Sequence, residues 1–194
     1  MNELIEIEYK MLLDENIFFK IKNDYKDRIS HEYIQTNYYF THPLIKQKRM
    51  MLRIREKNNE YELTLKRPYF HHRLETNVSL SIDEKESFFN HLEINNEIIE
   101  ILKNEGIDYK DVVNEYSLTT HRCDIVLDEG VLSLDENVYL NKKDYEIEFE
   151  VNDSDTGLKK FNEIIKPYNL IYITNCKSKV RRALDAYLGN HHEK

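Results

Sequence analysis

Apolar and polar residues alternate with period two along many stretches of this chain, the signature of strands with one buried face. Near the N-terminus Ile5, Ile7, Tyr9 and Met11 fall on one side and Glu6, Glu8 and Lys10 on the other, which predicts a strand from Ile5 to Met11. Asp14 is suited to cap a short helix that sets Ile17, Phe18, Ile21 and Tyr25 at helical spacing. A Tyr-rich run from Tyr33 to Phe40 has strand composition and stops at the turn Thr41-His42-Pro43. Met51 to Arg55 and Tyr61 to Lys66 flank Asn58-Asn59 and predict a hairpin in which Arg53 and Arg55 share a face. His72 to Ser79 alternates again.

Helical spacing returns in two segments. One follows Ser81 or Asp83 and carries Phe88, Phe89 and Leu92; the other runs from about Asn96 to a stop at Gly106 and carries Ile98, Ile99 and Leu102. Three alternating segments come next, Leu118–Leu127, Val131–Leu140 and Tyr145–Val151, separated by breaks at Gly130 and Asn141 that make them consecutive antiparallel strands. Ser154 opens a helix with Leu158, Phe161, Ile164 and Ile165; Leu170–Thr174 reads as a last short strand; Ser178 caps a final helix ahead of Gly189. Strands with interspersed helices, and no fixed-period repeat, predict a mostly antiparallel α+β domain over residues 1–189 with a frayed tail at 190–194.

Composition narrows the function classes. The 194 residues include 28 Lys+Arg against 36 Asp+Glu, a net charge of -8 that argues against an extended nucleic-acid surface. With only 4 Gly and 3 Pro there is no Gly-rich phosphate loop, so phosphate chemistry must use side chains. No apolar run is long enough to span a bilayer, and the acidic N-terminus does not resemble a signal peptide, so a cytoplasmic protein with no membrane partner is expected. Cys123 and Cys176 are far apart and lack a ligand pattern, which predicts two reduced thiols and no zinc site. Asn152-x-Ser154-x-Thr156-Gly157 with Glu163 mimics the spacing of a calcium loop but lacks its first carboxylates, and reads better as a helix start.

The polar sides of the strands carry charge of both signs: Glu6, Glu8 and Lys10; Arg53, Arg55, Glu62 and Lys66; Arg73 and Glu75; Arg122 and Asp124; Asp135; Glu146, Glu148 and Glu150. A solvated sheet face is one explanation. However, three acids at i, i+2 and i+4 stand only about 7 Å apart and repel one another unless a cation neutralises them. The apolar side is claimed by amphipathic helices, so a closed sheet would turn its charge inward, as a cavity suited to a polyphosphate with divalent cations.

Glu6-Ile7-Glu8-Tyr9-Lys10 resembles the ExExK signature of the CYTH superfamily, the triphosphate tunnel metalloenzymes that include thiamine triphosphatases, class IV adenylyl cyclases and inorganic triphosphatases. Its company is similar to the family pattern in the family's order: Asn37-Tyr38-Tyr39-Phe40, Leu52-Arg53-Ile54-Arg55-Glu56, Leu63-Thr64-Leu65-Lys66, Arg73-x-Glu75, Thr120-x-Arg122, Leu134-Asp135, Tyr145 to Glu150, and Ser178-Lys179-x-x-Arg182-Ala183-Leu184. Thr41-His42-Pro43 and Met51 depart from it, at the turn and packing rather than in the charge set. The resemblance implies a small single-domain bacterial type of member, with an eight-stranded antiparallel β-barrel forming a tunnel with a charged interior and helices outside. It implies that Lys10, Arg53, Arg55, Lys66, Arg73 and Arg122 contact phosphates. It implies that Glu6, Glu8, Asp135, Glu146, Glu148 and Glu150 hold Mg²⁺ or Mn²⁺ directly or through water, with Glu75 able to serve either role. Lys179 opposes the dipole of the helix it begins, which a nearby phosphate would rationalise, and Arg182 shares its face. Lys10, Arg55 and Glu148 are the residues expected to carry catalysis.

The expected activity is metal-dependent hydrolysis of a small-molecule triphosphate (tripolyphosphate, ATP or thiamine triphosphate) by a monomer or homodimer. A class IV-like adenylyl cyclase and a non-catalytic polyphosphate- or nucleotide-binding module are the alternatives. His42, His71, His72 and His121 match no family metal position and read as surface or turn residues.

Overall fold

The computed structural model describes residues 7–70 and 72–192. In chain order the elements are β1 (Ile7–Leu13), α1 (Glu15–Asp24), β2 (His31–Thr41), α2 (Pro43–Gln47), β3 (Met51–Lys57), β4 (Glu60–Tyr69), β5 (His72–Leu80), α3 (Ile82–Phe89), α4 (Glu97–Asn104), β6 (Val113–Leu127), β7 (Gly130–Tyr139), β8 (Lys142–Val151), α5 (Ser154–Ile165) and α6 (Lys179–His192). The eight strands form one antiparallel sheet in the order β1-β8-β7-β6-β2-β3-β4-β5. This is the α+β arrangement that the alternation predicts. β1 and β5 are the two ends of that order, so no β1–β5 pairing closes the ladder among the described residues.

The chain divides into two compact units, residues 1–34 with 120–182 and residues 35–119 with 183–194. In the first, alternate residues of β6, β7 and β8 (Cys123 and Ile125; Leu132 and Leu134; Ile147, Phe149 and Val151) form a core with Phe18 and Ile21 of α1 and Phe161, Ile164 and Ile165 of α5. The intervening residues, the charged ones, face the other way. In the second, Leu52, Ile54, Leu63, Leu65 and Leu80 of β3, β4 and β5 pack with Phe88 of α3 and Ile98, Ile99 and Leu102 of α4. Both sheet faces are thus sorted by period two, and each apolar face is covered by helices set at their own 3.6-residue spacing.

Local chemistry explains the element boundaries. Asp14 accepts from Ile17 N at 2.9 Å and starts α1. Ser81 and Glu84 form a reciprocal capping box on α3, Asn96 caps α4, and Gly106 follows α4 at φ +78°. Asn58 and Asn59 both hold positive φ, 52° and 62°, as a two-residue hairpin requires. Three expectations change. Thr41-His42-Pro43 is not a bare turn, because His42 Nδ1 accepts from Leu44 N at 3.2 Å and Pro43 supplies a pre-set first residue, so α2 forms. The final helix continues through Gly189 to His192. Leu170–Thr174 is not a strand: Asn175 accepts from Lys10 N at 2.8 Å and donates to Glu8 O at 2.9 Å, so its side chain takes the edge of β1 that a ladder would use. Leu170 and Tyr172 still face the core while Ile171 and Ile173 face out, which is the alternation seen in the sequence without its strand.

Gly157 shows how tightly α5 meets β8. A Cβ there would lie 2.5 Å from Val151 Cγ2 and 2.7 Å from its Cβ. Gly→Ala inside a helix ordinarily stabilises by about 1 kcal/mol. Here Gly157→Ala is expected to reverse that sign and destabilise by about 1–3 kcal/mol through overpacking, measured by urea unfolding; a stabilised variant would show that α5 can move away from β8.

Candidate functional site

In the first unit β8 sets Glu146 and Glu148 on the charged face, and the ladders place Asp135 of β7 opposite Glu146, Ser133 opposite Glu148, and Lys10 of β1 opposite Glu148. Asp135 and Glu146 are fully buried. Carboxylate oxygens of Asp135, Glu146 and Glu148 all lie within 4.8 Å of one another. Three cations meet them. Arg122 of β6 grips Asp135 with a two-pronged fork at 2.7 and 2.6 Å and also donates to Glu148. Lys179 pairs with Asp135 and lies 3.2 Å from Glu148 Oε1 and 3.9 Å from Glu146 Oε1. Arg182 donates to Asp144 at 2.7 and 2.9 Å and lies 2.5 Å from Glu146 Oε2.

The start of α6 brings two of these cations in. Arg182 N donates to Ser178 O at 2.9 Å and Arg181 N to Ser178 Oγ at 3.3 Å, so the helix begins at Lys179 and puts Lys179 and Arg182 on neighbouring positions three residues apart. The cation just inside the helix start is matched by carboxylates in this structure, where the sequence suggested a phosphate. Arg182 is not an exposed surface residue; its side chain retains 9% of its accessibility.

Burial of so many acids divides their proton affinities. Burial first, and then the shared hydrogen bond and charge of Glu148, pushes Glu146 up to about 8. Burial would also raise Glu148, but the hydrogen bond from Glu146 and the charges of Lys179 and Arg122 outweigh it and hold Glu148 well below the usual carboxylate range. The two are driven apart, Glu146 toward holding a proton and Glu148 toward staying ionised. Glu146 Oε1 is buried with no hydrogen-bond partner. Three converging hard oxygens, one of them without a donor, fit an oxygen-loving divalent cation such as Mg²⁺ or Mn²⁺. Asp135, Glu146 and Glu148 are the residues that would hold it.

The charged face of the second unit has the opposite imbalance. Arg53 and Arg55 of β3 stand side by side, Arg53 opposite Thr64 and Tyr39, Arg55 opposite Glu62 and Asn37. Arg55 Nε donates to Asn37 Oδ1 at 3.1 Å, whereas Arg53 is buried and its Nε finds no hydrogen-bond partner. Burial, and then the neighbouring Arg53 charge, lowers the proton affinity of Arg55. A buried guanidinium donor without an acceptor beside a second guanidinium is the chemistry of an anion site. Lys66 lies 2.5 Å from Glu75, which also accepts from Asn77 at 3.1 Å; Arg73 is exposed opposite Pro68.

A family model for the CYTH domain matches residues 4–184, across both units. The chain belongs to the CYTH domain family. It is 34% identical over 177 residues to the Bacillus subtilis (strain 168) protein named "Putative triphosphatase YjbK", covering 88% of this chain and 90% of that one. Among solved structures it is similar to a putative adenylate cyclase of Bacillus halodurans, at 30% identity and a TM-score of 0.71 over 92% of this chain and 96% of that chain. It also shares its fold with HpAC1 of Hippeastrum, described as a putative adenylyl cyclase with a dominant triphosphatase activity, at a TM-score of 0.72 and 19% identity over 94% and 96% of the two chains.

Against the CYTH residue set read from the sequence, the structure brings together Asp135, Glu146, Glu148, Arg122, Lys179 and Arg182. Lys10 lies 2.5 Å from Glu8 Oε1. Glu8 and Glu150 are not among the three carboxylates that converge; Glu150 is exposed, and the Glu8 side chain keeps 41% of its accessibility. Glu6 lies outside the described residues, as does His71. Sequence reading missed Asp144, the anchor of Arg182, which also accepts from Tyr139 Oη at 2.5 Å and Asn137 Nδ2 at 3.1 Å. Its signal was available, since Asp144 continues the i, i+2 series of Glu146, Glu148 and Glu150 by one step toward the N-terminus.

Burial alone would raise Asp144, but Arg182, Tyr139 and Asn137 outweigh it and hold the carboxyl below its ordinary value of 3.8. A depressed folded-state value stabilises the fold above pH 3.8, and this stabilisation disappears as pH falls through the folded-state value. Asp144→Asn is therefore expected to reduce stability by about 1–3 kcal/mol at neutral pH. The gap to the native protein should narrow on acidification below 3.8, as followed by denaturant unfolding across pH; a gap independent of pH would remove the charge from this account.

Proposed function

We propose that this CYTH protein is a divalent-metal-dependent hydrolase of small triphosphate-containing molecules, with tripolyphosphate, ATP and thiamine triphosphate as the substrates to consider. The observation that carries the reading is the convergence of Asp135, Glu146 and Glu148 within 4.8 Å, one oxygen without a hydrogen-bond donor, beside Arg122, Lys179 and Arg182. The name of the B. subtilis relative supports it.

A divalent ion, when bound, supplies charge neutralisation on phosphoryl oxygens and a water of lowered pKa. The remaining work belongs to the chain. Glu148, held ionised by Lys179 and Arg122, and Asp135 would offer carboxylate oxygens to such an ion, and Glu146 would have to be deprotonated to join them. With the carboxylates neutralised by a cation, Arg122, Lys179 and Arg182 would be free to donate to phosphate oxygens; Lys10, Arg53, Arg55, Lys66 and Arg73 are the other phosphate-binding residues of this proposal. Glu75 orients Lys66 through their ion pair. Glu6, Glu8 and Glu150 are proposed to act on the metal through water, the usual arrangement for Mg²⁺. Lys10, Arg55 and Glu148 are the proposed catalytic residues. No helix among the described residues is long and apolar enough to cross a membrane, both cysteines are free, and we assign the protein to the cytoplasm.

A second reading, adenylyl cyclase, is favoured by the likeness to the B. halodurans structure. In it a ribose hydroxyl is the nucleophile and pyrophosphate the leaving group.

A phosphate-release screen over the three substrates with Mg²⁺ and Mn²⁺, beside a cyclic-nucleotide assay, separates the readings. Turnover is expected with at least one triphosphate, and Arg55→Ala and Glu148→Ala are each expected to lower it about 10²-fold or more while circular dichroism stays native. Cyclic AMP with pyrophosphate would support the cyclase, and tight triphosphate binding without turnover under every metal would leave only a binding module. By calorimetry, Glu146→Gln with Glu148→Gln should abolish Mg²⁺-dependent triphosphate binding; unchanged titrations would return the charged face to solvated decoration.

A further inference from the structure

On the opposite side of β6 from Arg122, three different ligand types meet. His121 and Cys123 are two residues apart and so project from the same face of β6, and Glu32 comes from β2. His121 Nε2 lies 2.9 Å from Glu32 Oε1, and one nitrogen, sulfur and oxygen atom from the three side chains all lie within 4.8 Å of one another. Lys22 of α1 brings its ammonium to this group, 2.7 Å from Glu32 Oε1, where its charge also acts on the Cys123 thiol. These side chains belong to one compact unit.

We propose that Glu32, His121 and Cys123 form a second metal site, selective for Zn²⁺ and similar late first-row divalent ions, with Lys22 as the cation that occupies it when metal is absent. A thiolate, an imidazole and a carboxylate are the donor set of tetrahedral zinc, with the fourth position left to water. The same set is poor for Mg²⁺, which takes hard oxygens and resists losing water, so the two sites sort metals by donor softness. The place already holds a positive charge, supplied by a lysine, and that charge can leave: the Lys22 side chain keeps 26% of its accessibility and its head can swing into solvent. Access is open on the same side, where His121 keeps 37% and Glu32 43%, while Cys123 forms the buried floor. Binding would remove the thiol proton to solvent, leave His121 neutral and Glu32 ionised, and release Lys22 with its proton. His121, which reads from the sequence as a surface or turn residue, becomes a strand ligand, and Cys123 acquires a partner set that no sequence spacing announced.

Co²⁺ titration of the full chain tests this, because tetrahedral cobalt with a sulfur ligand gives strong visible bands and a thiolate-to-metal charge-transfer band. The native protein should show the charge-transfer band, and Zn²⁺ should bleach it. Cys123→Ala should lose it and Cys176→Ala should keep it. His121→Ala should weaken Co²⁺ binding by at least about tenfold, and Lys22→Ala, which removes the competing ammonium, should strengthen it by a similar factor. Glu146→Gln with Glu148→Gln should leave the band intact, separating this site from the oxygen site and from the proposed hydrolase activity. Absence of the band in a native protein that is folded by circular dichroism, its survival in Cys123→Ala, or unchanged Co²⁺ affinity in Lys22→Ala would overturn the proposal.

Discussion

Desolvated charge is the constraint on which the first unit depends. Asp135 and Glu146 have lost all contact with water, and a buried carboxylate is tolerated only when cations and donors replace its hydration. Arg122, Lys179 and Arg182 do so from β6 and from the first turn of α6, while Asp144, Asn137 and Tyr139 fix the far end of Arg182. The positions of β6, β7, β8 and the start of α6 are therefore tied to one electrostatic cluster. The cluster remains unevenly matched: one oxygen of Glu146 has no hydrogen-bond donor, and burial together with the Glu148 charge drives Glu146 toward holding a proton. Stability alone would favour an apolar replacement for such a group, and its residual demand for positive charge is what a divalent cation would meet.

The second unit displays the complementary imbalance on its own charged face. Arg53 and Arg55 lie side by side on β3, one guanidinium nitrogen goes without an acceptor, and Asn37 answers only the Nε of Arg55. Lys66, by contrast, is neutralised by Glu75. The excess negative charge and the excess positive charge thus sit on different strands, each held in place by an apolar face packed beneath it. Net charge, summed over the chain, conceals both.

Much of the fold was legible because period two and period 3.6 are local properties. Leu132 and Leu134 against Ser133 and Asp135, or Ile147 and Phe149 against Glu146 and Glu148, declare which face is buried before any partner is known. The cap at Asp14, the choice between Ser81 and Asp83 for α3, and the start of α4 near Asn96 were legible for the same reason. The Leu170–Thr174 segment shows the limit: its alternation is real, but whether an extended segment joins a ladder depends on who holds the neighbouring edge, and Asn175 holds it. The site divides in the same way. The charged residues could be named from their faces and from the CYTH resemblance, whereas the grouping of Asp135, Glu146 and Glu148, and the exclusion of Glu8 and Glu150 from it, depends on ladder register and burial.

Alone, then, the sequence determined the strand and helix faces, the segregation of both signs of charge onto the polar side, and the family to which the chain belongs, because each is written in spacing along the backbone. Tertiary structure decided which charges lose their water and which cation answers which acid. It paired Lys179 and Arg182 with carboxylates, and it brought Glu32, His121 and Cys123 around Lys22 across nearly a hundred residues of chain. The physical reason is that pKa, pairing and metal affinity depend on distances of a few ångströms in a medium that excludes water, and those distances exist only once the strands have found their register.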